Sequence, residues 1–141
     1  MDLTLITARL KAQLTGLRSV GASADLEAAM GGLVATPSAF VLPLAEAGSP
    51  PDALAGMGQQ VVQTFGVVHG IKNVRDQAGS AALEDLAALR ANLRAALVGW
   101  VPDAATGEAV RFARGRLLKL DGDGRLWWMD EFELTTYYWS A

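Results

Sequence analysis

The stretch that most constrains the fold is the C-terminal one, Glu108 to Ser140, EAVRFARGRLLKLDGDGRLWWMDEFELTTYYWS. Two alternating segments flank Asp121-Gly122-Asp123-Gly124, and Asp-Gly is a preferred pair for tight hairpin turns because glycine takes positive φ without steric penalty. The stretch is therefore predicted to be one long β-hairpin. It holds most of the aromatic residues and five basic ones, Arg111, Arg114, Arg116, Lys119 and Arg125. Two loops fit the turn. Centring on Gly122-Asp123 sets Arg114 opposite Glu131. Centring on Asp123-Gly124 sets Arg116 opposite Glu131 and Arg114 opposite Glu133. Both give the same faces, because the registers differ by two residues. Ala113, Leu117, Leu126, Trp128, Phe132 and Leu134 form the expected core face. Phe112, Arg114, Arg116, Leu118, Trp127, Met129, Glu131 and Glu133 form the other. Its apolar part, Leu118, Trp127 and Met129, needs a cover, either a helix of the same chain or another protein.

Upstream, leucine and isoleucine at 3, 6, 10, 14 and 17 predict an amphipathic helix over Leu3–Leu17, capped by Asp2. Arg18-Ser19-Val20 suits a short strand, and Ser23 to Gly31-Gly32 a short helix. Ala39 to Leu44 reads as a strand, with Pro43 placing it at an edge or near its end. Glu46 to Gly58, EAGSPPDALAGMG, reads as a mobile hairpin loop. Its Leu54 and Met57 are candidate contacts for a neighbour. Gln59 to Ile71 is a valine-rich strand. Ser80 to Val98 is the strongest helix, with Ala82, Leu83, Leu86, Leu89, Leu93, Ala96 and Leu97 as its apolar stripe and Gly99 as its stop. Hairpins alternating with helices point to one α+β domain over 1–141. Its expected architecture is a mixed or antiparallel sheet of two hairpins with helices packed on one side.

Several function classes find no support. With 141 residues, 51% hydrophobic, the chain is large enough for a real core. A net charge of −3 disfavours a general nucleic-acid binder. The absence of cysteine removes disulfide and thiolate chemistry. No apolar run reaches membrane-spanning length and no secretory signal is visible, so no membrane partner is expected and the expected compartment is the cytoplasm. No P-loop, G-x-S-x-G or G-x-G-x-x-G element occurs. His69, the single histidine, lies among Val67, Val68 and Ile71 and is expected to be a structural or surface residue. Asp121-x-Asp123-Gly124 starts like a calcium loop but puts Arg125, Leu126 and Phe132 where a ligand, a glycine and a glutamate are required. Asp130 alternates to the face opposite Glu131 and Glu133, so the three carboxylates do not converge. The basic residues of the hairpin are interleaved with these acids, which favours a charge-paired sheet over phosphate contacts. No catalytic, metal or cofactor site is expected.

Four stretches together resemble the tail terminator family of long-tailed bacteriophages and prophages. They are Thr36-Pro37-Ser38-Ala39-Phe40-Val41-Leu42-Pro43-Leu44, Phe65-Gly66-Val67-Val68, Ala96-Leu97-Val98-Gly99-Trp100-Val101-Pro102, and Gly115-Arg116-Leu117-Leu118 followed by Trp128-Met129-Asp130-Glu131-Phe132-Glu133-Leu134. Their order and spacing cover nearly the whole chain. The resemblance implies a small non-catalytic α+β virion protein of the tail and neck, assembled in the host cytoplasm. It implies a ring, usually of six subunits, that caps the finished tail tube and stops its polymerisation. That ring joins the tail to the head, with the tube protein and the head-completion or connector protein as partners and a lumen through which DNA passes. The expected subunit contact is the outer face of the last hairpin, at Leu118, Trp127, Met129, Arg114 and Arg116, with Leu54 and Met57 reaching a neighbour or the tube. Two other readings remain open at this point: another head–tail connector or neck protein, and a monomeric ligand-binding domain with a closed apolar pocket.

Overall fold

The computed structural model describes residues 3–22, 26, 27, 30, 36–50, 57–72, 80–104, 107–120 and 125–140. The elements run α1 (Thr4–Gln13), β1 (Ser19–Ala22), β2 (Ser38–Gly48), β3 (Met57–Lys72), α2 (Ser80–Leu97), β4 (Arg111–Leu120) and β5 (Arg125–Ser140). Five strands make one sheet in the order β1-β2-β3-β5-β4. Only β1–β2 is parallel; the other three pairings are antiparallel, so the sheet is mixed and built on two hairpins. This is the α+β architecture expected.

One face of the sheet carries α1 and α2. Ile6, Leu10 and Leu14 from α1 and its exit, with Leu93, Ala96 and Leu97 from α2, pack on Ala39, Val41, Phe65, Val67, Phe132 and Leu134. Phe65 and Phe132 stack at 5.5 Å between ring centres. The leucine periodicity of α1 thus points inward as expected, but the helix stops at Gln13, short of Leu17. Thr15-Gly16 lies beyond the stop, a β-branched residue and a glycine that both weaken a further turn. Leu14 and Leu17 still reach the core from that exit. The expected Asp2 cap lies outside the described residues. The stripe of α2 is confirmed at Leu86, Leu93, Ala96 and Leu97, while Leu83 is exposed. Gly99 ends α2 at φ +86°, a conformation that penalises any Cβ, and its N–H bonds Val110 O at 2.9 Å. Arg9 of α1 donates to Ala96 O at 2.9 Å, placing a cation at the negative end of α2.

Two sequence expectations are corrected along β2 and β3. The strand expected to finish at Leu44 runs on to Gly48, and the ladder continues through Glu46↔Gln63, Ala47↔Val62 and Gly48↔Val61. Met57 and Gly58 likewise pair with Ser140 and Trp139. Both ends of the expected 46–58 loop are therefore strand; residues 51–56, with Leu54, lie outside the described residues. The composition misled because alanine and glycine carry little strand preference, whereas pairing to a valine-rich neighbour supplies it. The backbone of the C-terminal aromatic run pairs with β3, Gln59↔Tyr138 and Gln60↔Tyr137, while the Tyr138 side chain stays exposed.

Candidate functional site

The last hairpin forms as expected, in the first of the two registers at its middle, Arg114↔Glu131. Register shifts between Phe112 and Arg114 and between Leu117 and Lys119 then change the faces on either side. Such bulges insert an unpaired residue and re-aim its neighbours. Phe112, expected on the outer face, instead stands opposite Phe132 and meets it edge-on at 5.7 Å.

The larger correction concerns Trp127 and Met129. Neither stands outward. Trp127 is 0% exposed and Met129 is buried beside it, in a second core with Phe40 and Val68. Leu26, Met30 and Leu42 close over that cluster. Leu26 and Glu27 are helical, so the cover comes from this chain's own β1–β2 connection. The bounds expected for that helix, at Ser23 and Gly31-Gly32, lie outside the described residues. The ring centres of Phe40 and Trp127 lie 6.5 Å apart. The physical reason is area: an indole and a thioether on one sheet face are most cheaply removed from water by the nearest apolar segment of the same chain.

Of the remaining site residues, Leu118 is 37% exposed, and its neighbours Leu117 and Leu120 are more so. Arg114 bridges Glu131 through Nε at 3.1 Å, and Arg111 bridges Glu133 at 2.9 Å. Arg116 and Lys119 stand exposed opposite Met129 and Trp127, with no carboxylate partner among the described residues. Met57 begins β3. β4 is therefore an edge strand holding four basic residues and no acid, with Leu117, Leu118 and Leu120 exposed. The sequence signal that was available and missed is this one-sided charge over ten residues.

On the helix face, β4, β5 and α2 enclose a polar cluster. Asp130 is fully buried, and its carboxylate accepts hydrogen bonds from His69 Nε2 at 3.1 Å, Trp128 Nε1 at 3.1 Å, and Arg90 Nε at 3.0 and 3.2 Å. Arg90 Nη2 adds an ion pair at 2.9 Å, and its guanidinium lies 4.6 Å from the Trp128 ring centre. Burial pushes the Asp130 pKa up. The hydrogen bonds from His69, Arg90 and Trp128, with the charge of His69, outweigh it, so this carboxyl titrates below its ordinary range. Gly115 lies directly over the cluster. A Cβ there would come within 2.6 Å of Asp130 Oδ1 and 2.8 Å of Arg90 Nη2, so glycine is what lets β4 close against the ion pair. The expectation that Asp130 faces away from Glu131 and Glu133 holds, and His69 is structural, with Asp130 as its partner. His69 Nδ1 is buried without a hydrogen bond and His69 is 0% exposed, so the His–Asp pair does not meet solvent. Its arrangement ties α2 to the sheet. The signal for it was an acid on the core face of an alternating strand, between Trp128 and Phe132.

Among the described residues no cluster of histidine, cysteine and carboxylate side chains has the makings of a metal site, and no helix is long and apolar enough to cross a membrane. A groove of about 420 Å³, lined by Lys11, Leu14, Leu17, Arg18 and Val20 among others, lies beside β1 and is open to solvent.

No curated protein matches the chain. A family model described as Phage tail terminator protein matches residues 1–139. With that match spanning nearly the full sequence of a mixed-sheet α+β fold, the chain belongs to the phage tail terminator family and has a structural role in a phage tail.

Proposed function

We propose that this protein caps the finished tail tube as a ring of identical subunits, stops tube polymerisation, and presents the surface to which the head is joined. The observation that carries this reading is the family match over 1–139. The fold agrees with it in two ways. The sheet is open and its two edges, β1 with β2 and β4, differ, and a head-to-tail, rotationally repeated contact joins two different surfaces. β2, β3 and β5 stay paired toward their far ends, and from Pro43 to Gly48 the β2 side chains are exposed. These strand ends reach the adjacent subunit or the tube, and Met57, where β3 begins, and Leu54 are the residues proposed to make that contact. On the last hairpin, Leu118, Arg114 and Arg116 remain interface residues. Trp127 and Met129 support that surface from inside rather than forming it.

The test is electron microscopy of unterminated tail tubes mixed with the purified protein. End-capped tubes whose length no longer grows when tube protein is added support the reading. Tubes that continue to elongate, with no density at their ends, refute it. Binding to the head connector alone would favour the neck-protein reading instead.

A further inference from the structure

We propose that one corner of the sheet face opposite α1 and α2 binds the phosphodiester backbone of a nucleic acid without reading its bases. The corner is formed by Arg116 and Lys119 of β4, Arg125 of β5 and Lys72 of β3. The inference goes beyond the ring reading and does not depend on it.

The two bulges of β4 build this surface. Its basic residues are spaced three, two and three apart, which simple alternation would divide between both faces. The register shifts absorb one residue before Arg114 and one before Lys119. Arg111, Arg114, Arg116 and Lys119 therefore stand opposite Glu133, Glu131, Met129 and Trp127, all on one face. Same-face positions recur about every 6.7 Å along a strand, so the four form a near-even row roughly 20 Å long. Arg125 is the next same-face position of β5 beyond Trp127, and Lys72 pairs opposite it, so the charge continues across the end of the hairpin.

The acids expected to neutralise the row reach only half of it. Glu133 holds Arg111 at 2.9 Å and Glu131 holds Arg114 at 3.1 Å. Arg116, Lys119 and Lys72 are exposed and make no ion pair among the described residues. The turn acids Asp121 and Asp123 lie outside those residues. Across β3, β5 and β4 this face carries six of the chain's twelve basic residues and two acids, on a chain of net charge −3. The overall charge therefore hides a local excess of cations, which sets the potential a partner meets. Two observations select a phosphate backbone over an acidic protein. The large apolar residues beside the corner, Trp127 and Met129, are buried under the chain's own cover, so it lacks the apolar centre on which stable protein interfaces are built. A row of like cations at regular spacing also matches an anion that itself repeats, and nucleic-acid interfaces are markedly polar and positive. No exposed aromatic of the described residues stands at this corner to stack on a base, so the contact is with phosphate and carries no sequence preference.

The test is fluorescence anisotropy of a short labelled DNA duplex and of its single strand, titrated with the purified protein over a range of salt. With three unpaired cations, duplex binding should fall with a log–log slope of about −2.7, roughly 40-fold between about 50 and 200 mM salt, and single-strand binding with a slope of about −2.1. Lys72→Glu with Lys119→Glu, neither of which the ring contact uses, should weaken binding at least about tenfold at the lowest salt. Lys11→Glu with Arg18→Glu makes the same change of net charge at exposed positions beside β1 and should leave binding within about threefold. A urea midpoint shared with wild type shows that a variant folds; should the reversal unfold the chain, Lys72→Gln with Lys119→Gln gives a smaller loss of the same sign. No binding to either DNA at the lowest salt, an equal loss from both charge-reversed pairs, or displacement by polyglutamate as effective as by DNA of equal charge overturns the inference. Tube capping is read separately, so each of these outcomes leaves the ring reading in place.

Discussion

Replacing Asp130 by asparagine tests whether the buried cluster holds the C-terminal hairpin to α2. The substitution keeps the volume and removes the charge that Arg90, His69 and Trp128 are arranged around. Breaking a buried ion pair by removing one partner costs about 3–5 kcal/mol. Here the carboxylate is fully buried but the Arg90 side chain keeps 22% of its exposure, so solvent screens one side and the lower end, about 3 kcal/mol, applies. For a chain of this size that is a melting-temperature drop on the order of 10 °C. The control is Glu131→Gln, which removes the Arg114 bridge, where the arginine is largely exposed, and should change stability by less than about 1 kcal/mol. Urea unfolding at neutral pH measures both. The pH dependence follows from the depressed pKa of Asp130. A carboxyl whose folded pKa lies below its unfolded one contributes fully above the unfolded value and loses that contribution as pH falls through the folded value. The gap between wild type and Asp130→Asn should therefore hold at neutral pH and close in acid. A loss at neutral pH no larger than that of Glu131→Gln, or a gap unchanged in acid, would refute the reasoning.

Two further outcomes can be checked directly. Trp127→Ala should destabilise the fold by about 3–5 kcal/mol, because it opens a cavity beneath Leu26 and Met30; lost assembly with an unchanged urea midpoint would mean that the indole faces a partner after all. Tyr137 donates to Glu108 Oε1 at 2.7 Å, a bond that, with some desolvation and the Glu108 charge, raises the phenol pKa above its ordinary value. In a Tyr138→Phe background, ultraviolet titration should show that rise, and Glu108→Gln should reverse it.

Periodicity and turn chemistry carried most of the fold. Leucines spaced by three and four, glycine after Val98, and alternation around an Asp-Gly turn are local signals, and α1, α2 and both hairpins follow them. The stretches that resembled the tail terminator family were legible for the same reason: order and spacing are properties of the chain. What failed to be legible depended on contacts distant in sequence. Glu46–Gly48 became strand because β3 was there to pair with it. Phe112 changed sides because of a bulge that no composition announces.

Trp127 and Met129 show the division most clearly. The sequence by itself determined that one face of the last hairpin would carry an apolar cluster needing a cover, since alternation dictates which side chains share a face. Only the tertiary structure decided that Leu26 and Met30 supply that cover, and that Leu117, Leu118 and Leu120 on the edge strand are among the apolar residues left outside. The reason is that burial is a property of the whole packing arrangement: a side chain's direction is set by its own backbone, but what it meets is set by where every other segment goes.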